Sequence, residues 1–182
     1  MRNNLRVISI LILIVWLGSI FCLSFIVAPT IFDFFTRPEA YDSFMKESHI
    51  KFQTPRTLAG SLVGAMLRDV NMIGLIAAPL LIVFEYVICR QNKIAAKMPL
   101  VALGVLMVIC YANALGLTPL IESVRSQISG PVEALDVADP LRREFGRLHA
   151  LSIFLFLFQL FFGFAIVWLW SREEARREEI TK

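Results

Sequence analysis

The chain has 182 residues, a formal net charge of +3 and 57% apolar residues, with a mean hydropathy of +0.68. Soluble domains stay near about 45–50% apolar, so a water-soluble globule is not expected; the excess is gathered in four blocks of about the 20 residues that cross a bilayer. The small positive charge comes with no basic-aromatic patch or recognition motif, so no nucleic-acid partner is expected.

The first block, 7–28, follows Arg2 and Arg6. Its apolar run is longer than the core of a signal peptide. The exit "FIVAPTIF" offers no small-x-small cleavage site, so a retained first helix is expected, with Gly18 and Cys22 along it and Pro29 and Phe32 at its end. Next comes "TRPEAYDSFMKESHIKFQ". Thr36 with Glu39 three residues later has the pattern of a capping box, and Tyr41, Phe44, Met45 and Phe52 share one face. This predicts a short amphipathic helix on the outer surface or over the mouth of the bundle.

The second span, 70–89, belongs to a helix starting near residue 57. Gly60, Gly64, Leu67, Asn71, Gly74, Ala78 and Glu85 fall on one face. Gly60 and Gly64 form a GxxxG pair that permits close backbone approach. Pro79 removes a backbone donor in mid-span and is expected to kink the helix. Arg68 and Asp69 read as an adjacent snorkelling pair at the outer end. Glu85, near the inner end, is expected to pair with Arg90 or another basic residue of the loop that follows.

That loop, "RQNKIAAK", carries three cations and no acid. Positive charge marks cytoplasmic segments, so loop 90–97 and both termini, including tail 171–182, are placed inside. In a bacterium this would be the cytoplasmic membrane. Loops 29–69 and 119–147 are placed outside; their nine cations are balanced by ten acids. The third span, 98–118, brings Asn113, Gly116, Cys110 and Tyr111. In the loop beyond it, Gly130-Pro131 ends one helix, and Asp139-Pro140 starts the last, with proline at its first position.

The last span, 148–170, is almost entirely Leu, Phe, Ile and Ala, yet holds His149, Ser152 and Gln159. Stepping by fours and threes collects Phe145, His149, Ser152, Phe156, Gln159 and Gly163 into one stripe. Lipid offers polar groups no partner, so this stripe is the packing face. His149, Ser152, Asn71, Asn113 and Arg68 then lie at similar depth in the outer half. His149 is expected to face inward and to hydrogen-bond to Asn71, Asn113 or Tyr111. Two readings of this cluster stay open: interhelical packing, and an outward-facing pocket for a small ligand, a lipid headgroup or a partner. Gly60, Gly64, Gly74 and Gly163 are the expected positions of close helix packing.

Cys22, Cys89 and Cys110 lie in or beside spans without CxxC spacing and read as free thiols. No P-loop, HExxH, GxSxG or dinucleotide fingerprint occurs. His149 and Ser152 share a face, but no orienting carboxylate is near in sequence, so no enzyme is expected. Haem held between helices wants two axial ligands, and His49 is in a loop; a soft-metal set of Cys22, Cys110 and Met107 is the other metal option. Neither is favoured, so no cofactor and no metal are expected. The expected architecture is an all-α, four-span membrane bundle. Its partners are the bilayer and a further copy or another membrane protein; the main alternative function is a subunit of an oligomeric transporter or channel.

Four stretches occur in order: "WLGSIFCLSFIVAPTIF", "RTLAGSLVGAML", "TPLIESVR" and "FGRLHALS". On these the chain resembles the transmembrane protein 205-like family, small four-helix membrane proteins known mostly as a domain of unknown function. The resemblance implies family positions at Pro29, Phe32, Arg56, Ala59, Gly60, Gly64, Pro119, Arg125, Phe145, His149 and Ser152. The chain departs from that pattern in the length of its first outside loop and in Arg68-Asp69.

Overall fold

A computed structural model describes residues 2–48, 54–91 and 97–181. His49, Phe52, Asn92, Lys93 and Lys182 lie outside the described residues. All regular structure among the described residues is helical, which pairs the backbone N–H and C=O groups within each span where hydrocarbon supplies no partner. The elements are α1 (Arg2–Cys22), a π turn (Leu23–Val27), α2 (Ala28–Thr36), α3 (Pro38–Ser48), α4 (Pro55–Gln91), α5 (Lys97–Tyr111), a second π turn (Ala112–Leu117), α6 (Thr118–Ser126), a 3-10 turn (Val132–Ala134) and α7 (Pro140–Thr181). Four runs are long and apolar enough to cross a membrane: Asn4–Thr36, Pro55–Arg90, Lys97–Ser126 and Pro140–Arg176.

The four long helices pack in a ring, α1 on α4, α4 on α5, α5 on α7 and α7 back on α1. Both ends of the chain meet at one end of the bundle, where Arg6 reaches Glu173; this end is called inner and the opposite end outer. Leu13, Trp16 and Ile20 of α1, Leu81 of α4, Leu103 and Leu106 of α5 and Ile166 of α7 fill the core. Only 28–33% of each apolar window is buried inside the bundle, so most of the apolar surface faces outward, as lipid contact requires. Val15, Ile76, Val108 and Phe164 stand on that outer face.

Prolines shape the helices. Pro29 and Pro119 stand at the first turns of α2 and α6, and a π turn precedes each. There the N–H of Ala28 bonds to Leu23 O, and that of Thr118 to Asn113 O, so the backbone widens by one residue where proline withdraws a donor. α4 runs unbroken through Pro79. A proline leaves the carbonyl four residues before it without its helical partner, and the Tyr111 hydroxyl donates to that carbonyl, Leu75 O, at 3.2 Å. α7 starts as its sequence requires: Asp139 Oδ1 accepts from the N–H of Leu141 at 2.8 Å, with Pro140 in the first helical position.

The segment between the first two spans holds the short helix α3, but Thr36 does not cap it. Thr36 ends α2, and its hydroxyl donates to Asp33 O at 2.8 Å. α2 and α4 meet in a small outer cluster of Phe35, Leu58 and Ala59, with Ile31 and Tyr41 against it.

Candidate functional sites at the two ends of the bundle

The outer cluster is built by the second π turn. That turn carries Asn113 into the bundle, where it is fully buried. The Ser152 hydroxyl on α7 donates to Asn113 Oδ1 at 2.8 Å. Thr118 Oγ1 donates to Asn113 O at 3.0 Å and accepts from Asn71 Nδ2 at 3.2 Å. One short network thus joins α4, the second π turn, α6 and α7. Among the described residues Asn113 Nδ2 is left without a partner, as are Gln159 Nε2 and Trp170 Nε1 further down α7. Thr118 is the member that sequence reasoning missed; it sits in "TPLI", just before the proline that the π turn serves.

Two of the residues expected in this cluster are elsewhere. His149 is exposed and lies parallel to the Phe145 ring, with centroids 5.9 Å apart. Around the helix it stands about 60° from Ser152, at the edge of the stripe, whereas Phe156, Gln159, Gly163 and Trp170 stay within about 40° and are buried. Tyr111 serves Leu75 instead of His149. Arg68 is exposed and pairs across to Glu122 of α6 at 3.3 Å, not with Asp69. Both members of that pair are more than half exposed, so it contributes little.

The four glycines divide. A Cβ at Gly74 would stand 2.7 Å from both Cys110 Sγ and Trp16 Nε1, and one at Gly163 would enter the Leu17 side chain. These two let helices touch. Gly60 and Gly64 are exposed and have nothing within 4 Å of a Cβ; Ala59 and Val63 occupy the inward face there. The GxxxG pair is therefore not an internal packing contact. Of the positions that the resemblance implies, Pro29, Phe32, Arg56 and Pro119 are exposed and Ala59 is buried. Arg125 donates to Ile128 O at 3.0 Å and closes the end of α6.

The inner cluster was only half legible. Glu85 is fully buried and pairs with Arg6 of α1, not with Arg90: Nη1 to Oε2 is 2.6 Å and Nη2 to Oε1 is 3.4 Å. The same guanidinium reaches Glu173 of α7 at 3.3 Å and lies 4.8 Å from the centre of the Trp170 ring. The Cys89 thiol stands 3.8 Å from Glu85 Oε1. One guanidinium on α1 is thus gripped by carboxylates from its two neighbours, α4 and α7, in a geometry only a planar, multi-donor cation supplies. The signal lay in the period of α1: Arg6, Ser9, Leu13, Trp16 and Ile20 form one buried stripe, which puts Arg6 inside.

Cys22 is exposed and Cys110 is buried against Gly74, so these two thiols do not converge. No group of three or more His, Cys, Asp or Glu side chains among the described residues is placed to hold a metal ion. Among curated proteins and solved structures none matches the chain. Residues 11–129 match the model of the family described as Domain of unknown function (DUF4149). That stretch is about two thirds of the chain and runs from α1 through α6, carrying Glu85, Asn71, Asn113 and Thr118; the chain belongs to the DUF4149 family.

Proposed function

We propose that this multi-pass membrane protein is a non-enzymatic binding protein of the transmembrane protein 205-like type, whose outer polar cluster receives a small acceptor-bearing molecule between α5 and α7. The observation that carries this is the pair of buried amide donors, Asn113 Nδ2 and Gln159 Nε2, without partners among the described residues. A buried donor left unmade costs about 1–3 kcal/mol, and such groups in native proteins are normally answered by water or a ligand. The matching chemistry is a carbonyl, hydroxyl or oxyanion, such as a lipid headgroup presents. In mild detergent, native mass measurement is expected to find such a molecule on the protein, lost in Asn113→Leu and Gln159→Leu. A wild-type protein carrying only detergent and water would overturn the reading.

The non-enzymatic part rests on Ser152 and His149. The Ser152 hydroxyl is spent on Asn113 Oδ1, and His149 is on the exposed face, so the described residues hold no serine–histidine pair. The topology proposed has both termini and loop 90–97 cytoplasmic, supported by the meeting of Arg6 with Glu173 at one end and by the acid-free basic loop. In a background without native cysteines, Ser129→Cys is expected to react with an impermeant reagent on intact cells and Asn92→Cys to be protected; the reverse pattern would invert the model.

A second reading, a subunit of an oligomeric transporter, is favoured by one observation: Gly60 and Gly64 are exposed and open. It expects a stable oligomer in native mass measurement that Gly60→Leu with Gly64→Leu disperses. A wild-type monomer in several mild detergents would exclude it.

A further inference from the structure

The inner ends of α5 and α7 enclose an open groove of about 570 Å³, within the range of small-molecule sites. Its walls combine two chemistries. Met98, Pro99 and Leu169 make an apolar floor, and Arg172 and Arg176, one helical turn apart on α7, stand beside it with Glu173. Glu173 already accepts from Arg6. Among the described residues neither Arg172 nor Arg176 has a carboxylate partner; Arg172 instead lies 4.3 Å from the centre of the exposed Trp168 ring. Tryptophan at this level marks a membrane–water boundary. Two cations with no carboxylate partner among the described residues therefore flank an apolar slot where the apolar helix surface ends.

We propose that this groove binds the headgroup phosphate of an anionic phospholipid between Arg172 and Arg176, with the glycerol and first methylenes on Met98, Pro99 and Leu169. The occupant is a lipid, not a free anion, because the floor is apolar and lies beside the exposed apolar side chains of Met98 and Trp168. The site stands apart from the outer cluster and does not rest on the reading given for it. It shares Glu173 with the inner charge cluster, so a bound phosphate would sit beside the carboxylate that helps hold Arg6.

The test uses the full chain in nanodiscs of phosphatidylcholine doped with phosphatidylglycerol, followed by detergent extraction and native mass measurement of retained lipid. The wild type is expected to retain phosphatidylglycerol over phosphatidylcholine by roughly tenfold, from two interfacial cations. Arg172→Gln with Arg176→Gln should remove the preference without changing helical content or melting. The control Arg56→Gln with Arg147→Gln, two exposed cations of the outer end, should keep it. Equal retention of the two lipids by the wild type, or loss of the preference in the control as well, would overturn the site. Displacement of the lipid by millimolar inorganic phosphate would overturn the lipid in favour of a free anion.

Discussion

At the inner end of the bundle Arg6 of α1 grips Glu85 of α4 and Glu173 of α7; at the outer end Asn71, Thr118, Asn113 and Ser152 join α4, the second π turn, α6 and α7 with neutral groups. The two clusters are about 31 Å apart along α7, at 1.5 Å per residue from Ser152 to Glu173, which is the thickness of a hydrocarbon core. They fail differently. Removing one partner of a buried ion pair strands a charge, which costs far more than stranding an amide. The inner cluster is also the polar link that holds α1. Further out, among the described residues, α1 is held by apolar packing, Trp16 against Gly74 and Leu17 against Gly163.

This contrast orders the expected effects of mutation. Glu85→Leu leaves Arg6 with Glu173 alone and should lower stability by about 3–5 kcal/mol, read as a fall in melting temperature in detergent; a shift no larger than that of a surface variant would mean the pair is open to water. Gly74→Ala forces a Cβ onto the rigid Trp16 ring and should cost about 1–3 kcal/mol. Gly64→Ala should be neutral or raise stability by up to about 1 kcal/mol through helix propensity; a loss at Gly64 in a dispersed monomer would contradict the open face. Ser152→Ala strands Asn113 Oδ1 and should cost about 1 kcal/mol, with the outer ends of α5 and α7 exchanging amide hydrogens faster while the inner ends keep their rates. His149→Ala should change stability by no more than about 0.5 kcal/mol, since its ring is exposed and stacks on Phe145. A large loss there would restore the inward-facing histidine read from the stripe.

The four spans were legible because block length and backbone hydrogen bonding leave a membrane chain little choice, and Asp139-Pro140 marked where α7 begins. Inward faces were legible wherever a stripe ran straight: Ser152, Phe156, Gln159 and Gly163 are all buried. Reading failed where a stripe was extended past its own arc, as at His149, or drawn through small residues, as at Gly60 and Gly64. It also failed where one residue had two uses. Arg6 counts as a positive-inside charge and is at the same time a core residue, and only the period of α1 separates the two. The π turns could not be read because their signal is a missing donor at Pro29 and Pro119, whose consequence depends on which helix lies alongside. Tyr111 finding the carbonyl freed by Pro79 is the same kind of fact.

The most direct test of the inner clamp is a double-mutant cycle on Arg6 and Glu85, following thermal unfolding in one detergent. Arg6→Met and Glu85→Leu should each be strongly destabilising, while the double variant, with no charge stranded between them, should recover most of the loss and so show a coupling of several kcal/mol. Additive losses, with the double variant as unstable as the two singles combined, would show that Arg6 and Glu85 do not depend on each other and would contradict the account.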